Sequence, residues 1–159
     1  MHRVFCATPG DLEAERKAFH DAIGEVNESQ GISREVLLVP VSIVPNMANK
    51  TMFQPMVEAN LRSCAYFVLV LHDTWGSPRH NFEAEYNLAC QLKADASALM
   101  RGIALFFKSA NGRQVEPKIQ ELRSLAAGQQ DFSVCDFESI EEYKQQLRAQ
   151  LAEWLRSCG

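Results

Sequence analysis

Two hydrophobic rhythms alternate along this chain. Short apolar runs of strand length give way to longer stretches in which apolar residues recur every three or four positions, the spacing of one helical face. Val4 to Ala7 reads as a first strand. Thr8-Pro9-Gly10-Asp11 then opens a helix, with Thr8 suited to the N-cap, Pro9 to the first helical position and Asp11 to a capping box. Leu12, Phe19, Ile23 and Val26 form the apolar face of that helix, and Gly31 ends it. Val36 to Val44 is apolar and β-branched, a second strand that Pro45-Asn46 terminates. A polar loop from Asn46 to Thr51 precedes a short helix from Phe53 to Cys64. Tyr66 to Leu71 is the third strand, the most buried by composition, and a third helix runs from about Asn81 to Ala96. Ile103 to Lys108 is a fourth strand, and Ala110-Asn111-Gly112 is a turn. Val115, Ile119, Leu122 and Ala126 mark a fourth helix with Pro117 in its first turn. Asp131 to Asp136 is a polar fifth strand suited to a sheet edge. Ser139 caps the last helix, with Glu142 as its box partner and a stripe of Ile140, Tyr143, Leu147, Leu151, Trp154 and Cys158.

Strands alternating with helices predict an α/β fold, a parallel sheet covered on both faces. The most economical arrangement is a flavodoxin-like three-layer sandwich with a five-stranded parallel sheet of order 2-1-3-4-5. Its switch point falls between strands one and three. The loops after those strands, Ala7 to Asp11 and His72 to Asn81, then line one crevice. No repeat or linker divides the chain, so residues 1–159 are expected to form one domain.

Composition narrows the function. The 47% hydrophobic and 23% charged residues fit a globular protein, and a formal charge of −4 disfavours non-specific nucleic-acid binding. No apolar run approaches the ~20 residues that span a bilayer, and no secretory leader is evident at the start, so no membrane role and a cytoplasmic setting are expected. Five widely spaced cysteines without a C-x-x-C suit free thiols in a reducing compartment. The four histidines have no ligand-like spacing, so no metal site is expected.

The candidate chemistry gathers at the predicted crevice. Residues two apart on a helix point roughly 200° away from each other. Glu85 is followed by Leu88, Ala89 and Leu92 and shares the apolar face, whereas Glu83 looks onto a mixed one. Glu85 is therefore the acid expected to be inward and partly desolvated, a condition that favours its neutral form. It is either a functional carboxylate or an idle one stabilised by the helix dipole. Arg16 lies on the buried stripe of the first helix and needs a carboxylate, a carbonyl or a ligand. Trp75, beside Gly76, either stacks on a base or covers the end of the core. His72 either hydrogen-bonds a sugar or caps the sheet, and Arg79 with His80 adds positive charge. Thr8 and Asp11 suit an ordinary helix start, while Gly10 lets a ligand approach the backbone. No dinucleotide fingerprint, P-loop or nucleophile elbow is present.

The segment Val4-Phe5-Cys6-Ala7-Thr8-Pro9-Gly10-Asp11-Leu12-Glu13-Ala14-Glu15-Arg16 resembles the opening V-F-[IV]-S-S-x-x-D-L-x-x-E-R of a group of bacterial TIR-like domains of unknown function. Such domains often sit ahead of signalling or defence ATPases. Val68 to Leu71, Trp75-Gly76, Glu83 to Tyr86 and Ala89 resemble the group's strand, turn and acidic helix. The group is similar to TIR domains and to nucleoside 2-deoxyribosyltransferases. The resemblance implies that Glu85, four residues before Ala89, is the glutamate that cleaves an N-glycosidic bond, with Glu83 beside it. It also implies that Thr8 and Gly10 face the ribose or phosphates of a small nucleotide-like ligand, with NAD or a nucleotide as substrate rather than resident cofactor. One departure stands out: His80-Asn81-Phe82 replaces an S-G-T. The expectation is a nucleotide- or NAD-binding domain of bacterial signalling or defence, of the NADase or nucleosidase type. Its rival is a non-catalytic module that self-associates or docks a signalling protein.

Overall fold

The structure, a computed structural model, describes residues 1–9, 12–42, 53–73, 82–112, 114–129 and 131–158. Among them, five strands alternate with five α-helices: β1 (His2–Ala7), α1 (Glu13–Val26), β2 (Leu38–Val41), α2 (Phe53–Arg62), β3 (Tyr66–Leu71), α3 (Phe82–Ala94), β4 (Gly102–Lys108), α4 (Pro117–Ala127), β5 (Phe132–Phe137) and α5 (Ile140–Ser157). The strands form one parallel sheet of order 2-1-3-4-5, as the pattern predicts. In register, Val4 pairs with Tyr66, and Ala7 with Leu69.

The period of two along each strand sorts side chains into two cores. Val4 and Cys6 of β1, Tyr66, Val68 and Val70 of β3, and Ala104 and Phe106 of β4 pack beneath α1 and α5. Phe5 and Ala7, Phe67, Leu69 and Leu71, and Ile103, Leu105 and Phe107 pack beneath α2, α3 and α4. Every residue of β3 is buried, as expected for a central strand covered twice. The fifth strand takes the edge and is only half-buried along most of its length.

The boundaries of α1, β2 and α3 differ from the sequence expectation for local reasons. Helix α1 starts at Glu13 rather than at Thr8. Ahead of it, the Leu12 N–H donates to the Pro9 carbonyl at 3.0 Å. Leu12 occupies the N-cap without a side-chain bond. The second strand is shorter than Val36 to Val44 and begins at Leu38. Ahead of it, Asn27–Gly31 forms a π-helical turn and Ile32–Arg34 a 3₁₀ turn, and Glu35 takes a left-handed φ of 58°. The Asn27 amide then clasps Leu38, its Nδ2 donating to the carbonyl and its Oδ1 accepting from the N–H, both at 2.9 Å. Gly31 is required here, because a Cβ would lie 2.6 Å from the Val36 carbonyl oxygen. Helix α3 stops at Ala94 rather than Ala96, because Asp95 Oδ1 accepts from the Ser97 N–H at 2.9 Å and turns the chain. Ser139 does cap α5, accepting from the Glu142 N–H at 3.2 Å, while Glu142 reaches back to the Glu138 N–H at 3.3 Å.

Trp154 of α5 stacks on Tyr66 of β3 with ring centroids 4.5 Å apart. Gly102 makes that stack possible, since a Cβ there would lie 2.6 Å from the indole Nε1 and 3.0 Å from the Tyr66 ring. Gly102→Ala is expected to overpack the core and cost about 1–3 kcal/mol. Urea unfolding followed by tryptophan fluorescence checks the value, and an unchanged midpoint would show that the stack yields freely.

Candidate functional site

The site is assembled from the end of β1 and the first turns of two helices on opposite faces of the sheet. Cys6 and Thr8 point to the same side, being two apart on an extended chain. Both are buried, and Cys6 Sγ lies 3.0 Å from Thr8 Oγ1. The Thr8 hydroxyl is thus turned inward rather than free to cap α1. Arg16, one turn into α1, reaches back over it. Its Nη2 donates to the carbonyls of Pro9 at 3.2 Å and Thr8 at 3.4 Å. Of the partners expected for this guanidinium, the structure supplies carbonyls.

From the other face comes α3. Its buried positions are Phe82, Glu85, Ala89 and Leu92, spaced three, four and three. Glu85 is 1% exposed. Glu83, two residues earlier, turns outward and pairs with Lys118 of α4 at 3.7 Å. The helical phase predicted for the two acids is the one observed.

The Cys6 thiol ties these groups together. Burial pushes it up from 9.0 to about 12; the Thr8 hydroxyl and the Arg16 charge pull it down, and the Glu85 carboxyl pushes it further up. Hydrogen bonds gather Cys6, Thr8 and Arg16 at the end of β1, while Glu85 is buried where α3 begins on the other face of the sheet.

Sequence reading overlooked a second buried acid. Glu15 of α1 is 3% exposed, and its Oε1 lies 2.8 Å from Lys108 Nζ at the end of β4. Its spacing to Ala18, Phe19 and Ala22 is the same i+3, i+4, i+7 pattern that singles out Glu85, so the signal was present. Tyr143 of α5 lies close by, with its hydroxyl buried and making no hydrogen bond among the described residues. Burial, then the Cys6 and Glu15 charges, hold that phenol well above its ordinary range.

His72 follows β3 and faces the other way along the rim. Its Nε2–H donates to the Ser109 carbonyl at 3.0 Å, which fixes the tautomer if the ring is neutral. Nδ1 is buried without a hydrogen-bond partner among the described residues. His72 lines a cleft of about 680 Å³ with Phe107, Lys108, Val115, Arg123 and Phe137, beyond the carboxyl ends of β4 and β5. Within it Arg123 pairs with Asp136, and its guanidinium carbon stands 5.7 Å from the centre of the Phe107 ring. A smaller hollow of about 490 Å³ lies on the flank of α1, between Glu13, Ala14, Arg16, Lys17 and His20. Gly10, Trp75, Gly76 and Arg79 lie outside the described residues. Among the described residues, no group of three or more His, Cys, Asp or Glu is placed to hold a metal ion, and no helix is long and apolar enough to cross a membrane.

Comparison with known proteins agrees with the fold and adds no chemistry. A family model described as a domain of unknown function, DUF4062, matches residues 3–152. No curated protein matches the chain. The crystal structure of a flavodoxin-like domain from a Synechococcus protein is similar, with a TM-score of 0.55 at 14% identity, covering 97% of this chain and 99% of that one. At that identity the likeness concerns the fold alone.

Two outcomes follow from the buried charges. Lys108→Met strands the Glu15 carboxylate and is expected to cost about 3–5 kcal/mol, most of which Glu15→Leu in the same chain restores. A urea double-mutant cycle measures both. The raised thiol sets a pH dependence. Unfolded, Cys6 loses its proton near 9.0; folded, it holds it to about 12. The unfolded state is therefore favoured as pH rises from 9 to 12, at up to about 1.4 kcal/mol per pH unit from this group. Cys6→Ala should flatten that part of the stability profile, and a profile of unchanged slope would contradict the assignment.

Proposed function

Because the chain belongs to the DUF4062 family of domains of unknown function, its activity must be read from the chemistry of its rim, and we propose that it binds a nucleotide- or NAD-like ligand between β1 and β3 and hydrolyses an N-glycosidic bond with Glu85. The observation that carries this reading is Glu85 itself. It is a carboxyl group 1% exposed in the first turns of α3, the helix that follows the central strand β3. In parallel α/β sheets ligands bind outside the carboxyl ends of the strands, at the switch point. Here the switch point lies between β1 and β3.

A carboxylate in this position suits cleavage at a sugar carbon. When nicotinamide leaves a ribose, the bonding pair moves to the ring nitrogen and a neutral base departs, so no acid is needed. Positive charge builds on the ribose ring, and a carboxylate shielded from water stabilises it strongly. Water then bonds to the anomeric carbon and releases one proton to the solvent. A base leaving as an anion, as from an ordinary nucleoside, needs protonation as well. NAD is accordingly the favoured substrate, in keeping with the resemblance to TIR-like domains. Glu83, paired with Lys118, is assigned a minor part.

The test is direct. Purified protein is incubated with NAD, nucleosides and 2-deoxynucleosides, and the free base is separated and measured. NAD is expected to be consumed. Glu85→Gln, which keeps the shape and removes the charge, should lower the rate by about 10²–10³-fold. Glu83→Gln should lower it far less. If all substrates stay intact and none raises the melting temperature of folded protein, the chain acts instead as an interaction module.

A further inference from the structure

A nucleotide needs hydrogen-bond donors for its phosphates, and the β1 loop supplies few among the described residues. The Thr8 hydroxyl is buried and bonded to Cys6 Sγ. Ala7 stands where the resembling group has a serine. The uncommitted donors lie one step away, on the side of α1. Arg16 uses Nη2 for both of its carbonyl bonds, and neither Nε nor Nη1 makes a hydrogen bond among the described residues. Arg16 is half-buried and its Nη2 is tied to two carbonyls, so those donors are held in place rather than swept through solvent. Lys17 and His20 line the same 490 Å³ hollow and are exposed. His20 Nε2 lies 3.0 Å from Ser42 Oγ just past β2, which steers the ring toward the sheet's carboxyl end and leaves Nδ1 available. Glu13 also borders the hollow, where the two cations Arg16 and Lys17 outnumber it. This local excess of positive charge sits on a chain whose formal charge is −4.

We infer that Arg16, Lys17 and His20 form a phosphate-binding flank of the rim site, and that the ligand is a phosphate-bearing nucleotide or dinucleotide rather than a bare nucleoside. The inference rests on the rim reading above and deepens it. Arg16 belongs to both parts: its Nη2 holds the Thr8 and Pro9 carbonyls at the end of β1, and its side chain borders the hollow. A ligand with its sugar at Glu85 and its phosphates over the end of β1 therefore meets Arg16 first, then Lys17 and His20. The attraction comes from side chains on the helix flank; the first turn of α1 already carries Glu13 and Glu15, which offset the dipole.

The experiment is calorimetric titration of the whole chain with ADP-ribose, inorganic pyrophosphate and adenosine, at low and high salt, with circular dichroism to confirm that each variant is folded. ADP-ribose is expected to bind at least about tenfold more tightly than adenosine, and added salt should narrow that gap. Lys17→Glu and His20→Glu should each weaken ADP-ribose and pyrophosphate by about tenfold while leaving adenosine unaltered. Glu13→Gln should tighten ADP-ribose a few-fold. If adenosine binds as well as ADP-ribose, and Glu85→Gln still stops hydrolysis, the phosphate flank is wrong and the rim site stands. If the Lys17 and His20 variants keep the wild-type preference, the flank is likewise overturned. If none of the three compounds binds, both readings fall together.

Discussion

A parallel sheet covered on both faces leaves polar chemistry little room except at its ends, and this chain shows how that constraint shapes a site. The central strands β1, β3 and β4 are sealed between two cores. Carboxylates that enter these cores must be compensated or the fold suffers. Glu15 is held by Lys108, and Glu85 lies at the margin where α3 begins. The two acids come from helices on different faces of the sheet. Arg16, beside Glu15 in α1, holds the carbonyls at the end of β1.

The arrangement separates structural from chemical work. Glu15 and Lys108 form a partly buried pair whose main effect is to anchor α1 to β4. That anchor fixes the direction of the next residue, Arg16, and through it the β1 loop. Glu83 and Lys118 form an exposed pair across α3 and α4, and such pairs contribute little to stability. Glu85, by contrast, is buried in the first turns of α3. Neighbouring acids of one short helix can therefore have unrelated duties, set by a rotation of about 200°.

Much of the fold was legible because periodicity survives tertiary context. The parallel sheet followed from alternation, its order from the most economical way to connect five such units, and the phase of α3 from Leu88, Ala89 and Leu92 placed after Glu85. What failed were boundaries governed by single side chains. Thr8 looks like a helix cap, but its hydroxyl is drawn inward by Cys6. Val36 and Leu37 look like strand, but the Asn27 clasp on Leu38 and the left-handed Glu35 delay its start. Glu15 was readable by the same spacing as Glu85 and went unread because first-turn acids fit the helix dipole so readily. The cleft beside His72 had no local signal, since His72, Lys108, Arg123 and Phe137 come from four separate segments.

The pairing of α5 with α1 has a consequence for how the molecule comes into being. On a ribosome the first strand and helix emerge long before the last. Until α5 arrives, the side of the sheet bearing Val4, Tyr66 and Phe106 lacks Tyr143, Leu147, Leu151 and Trp154, the residues that close that core. A nascent domain that still lacks α5 therefore carries a greasy half-finished surface, a natural client for chaperones, and closure of that side of the sheet waits on this eighteen-residue helix.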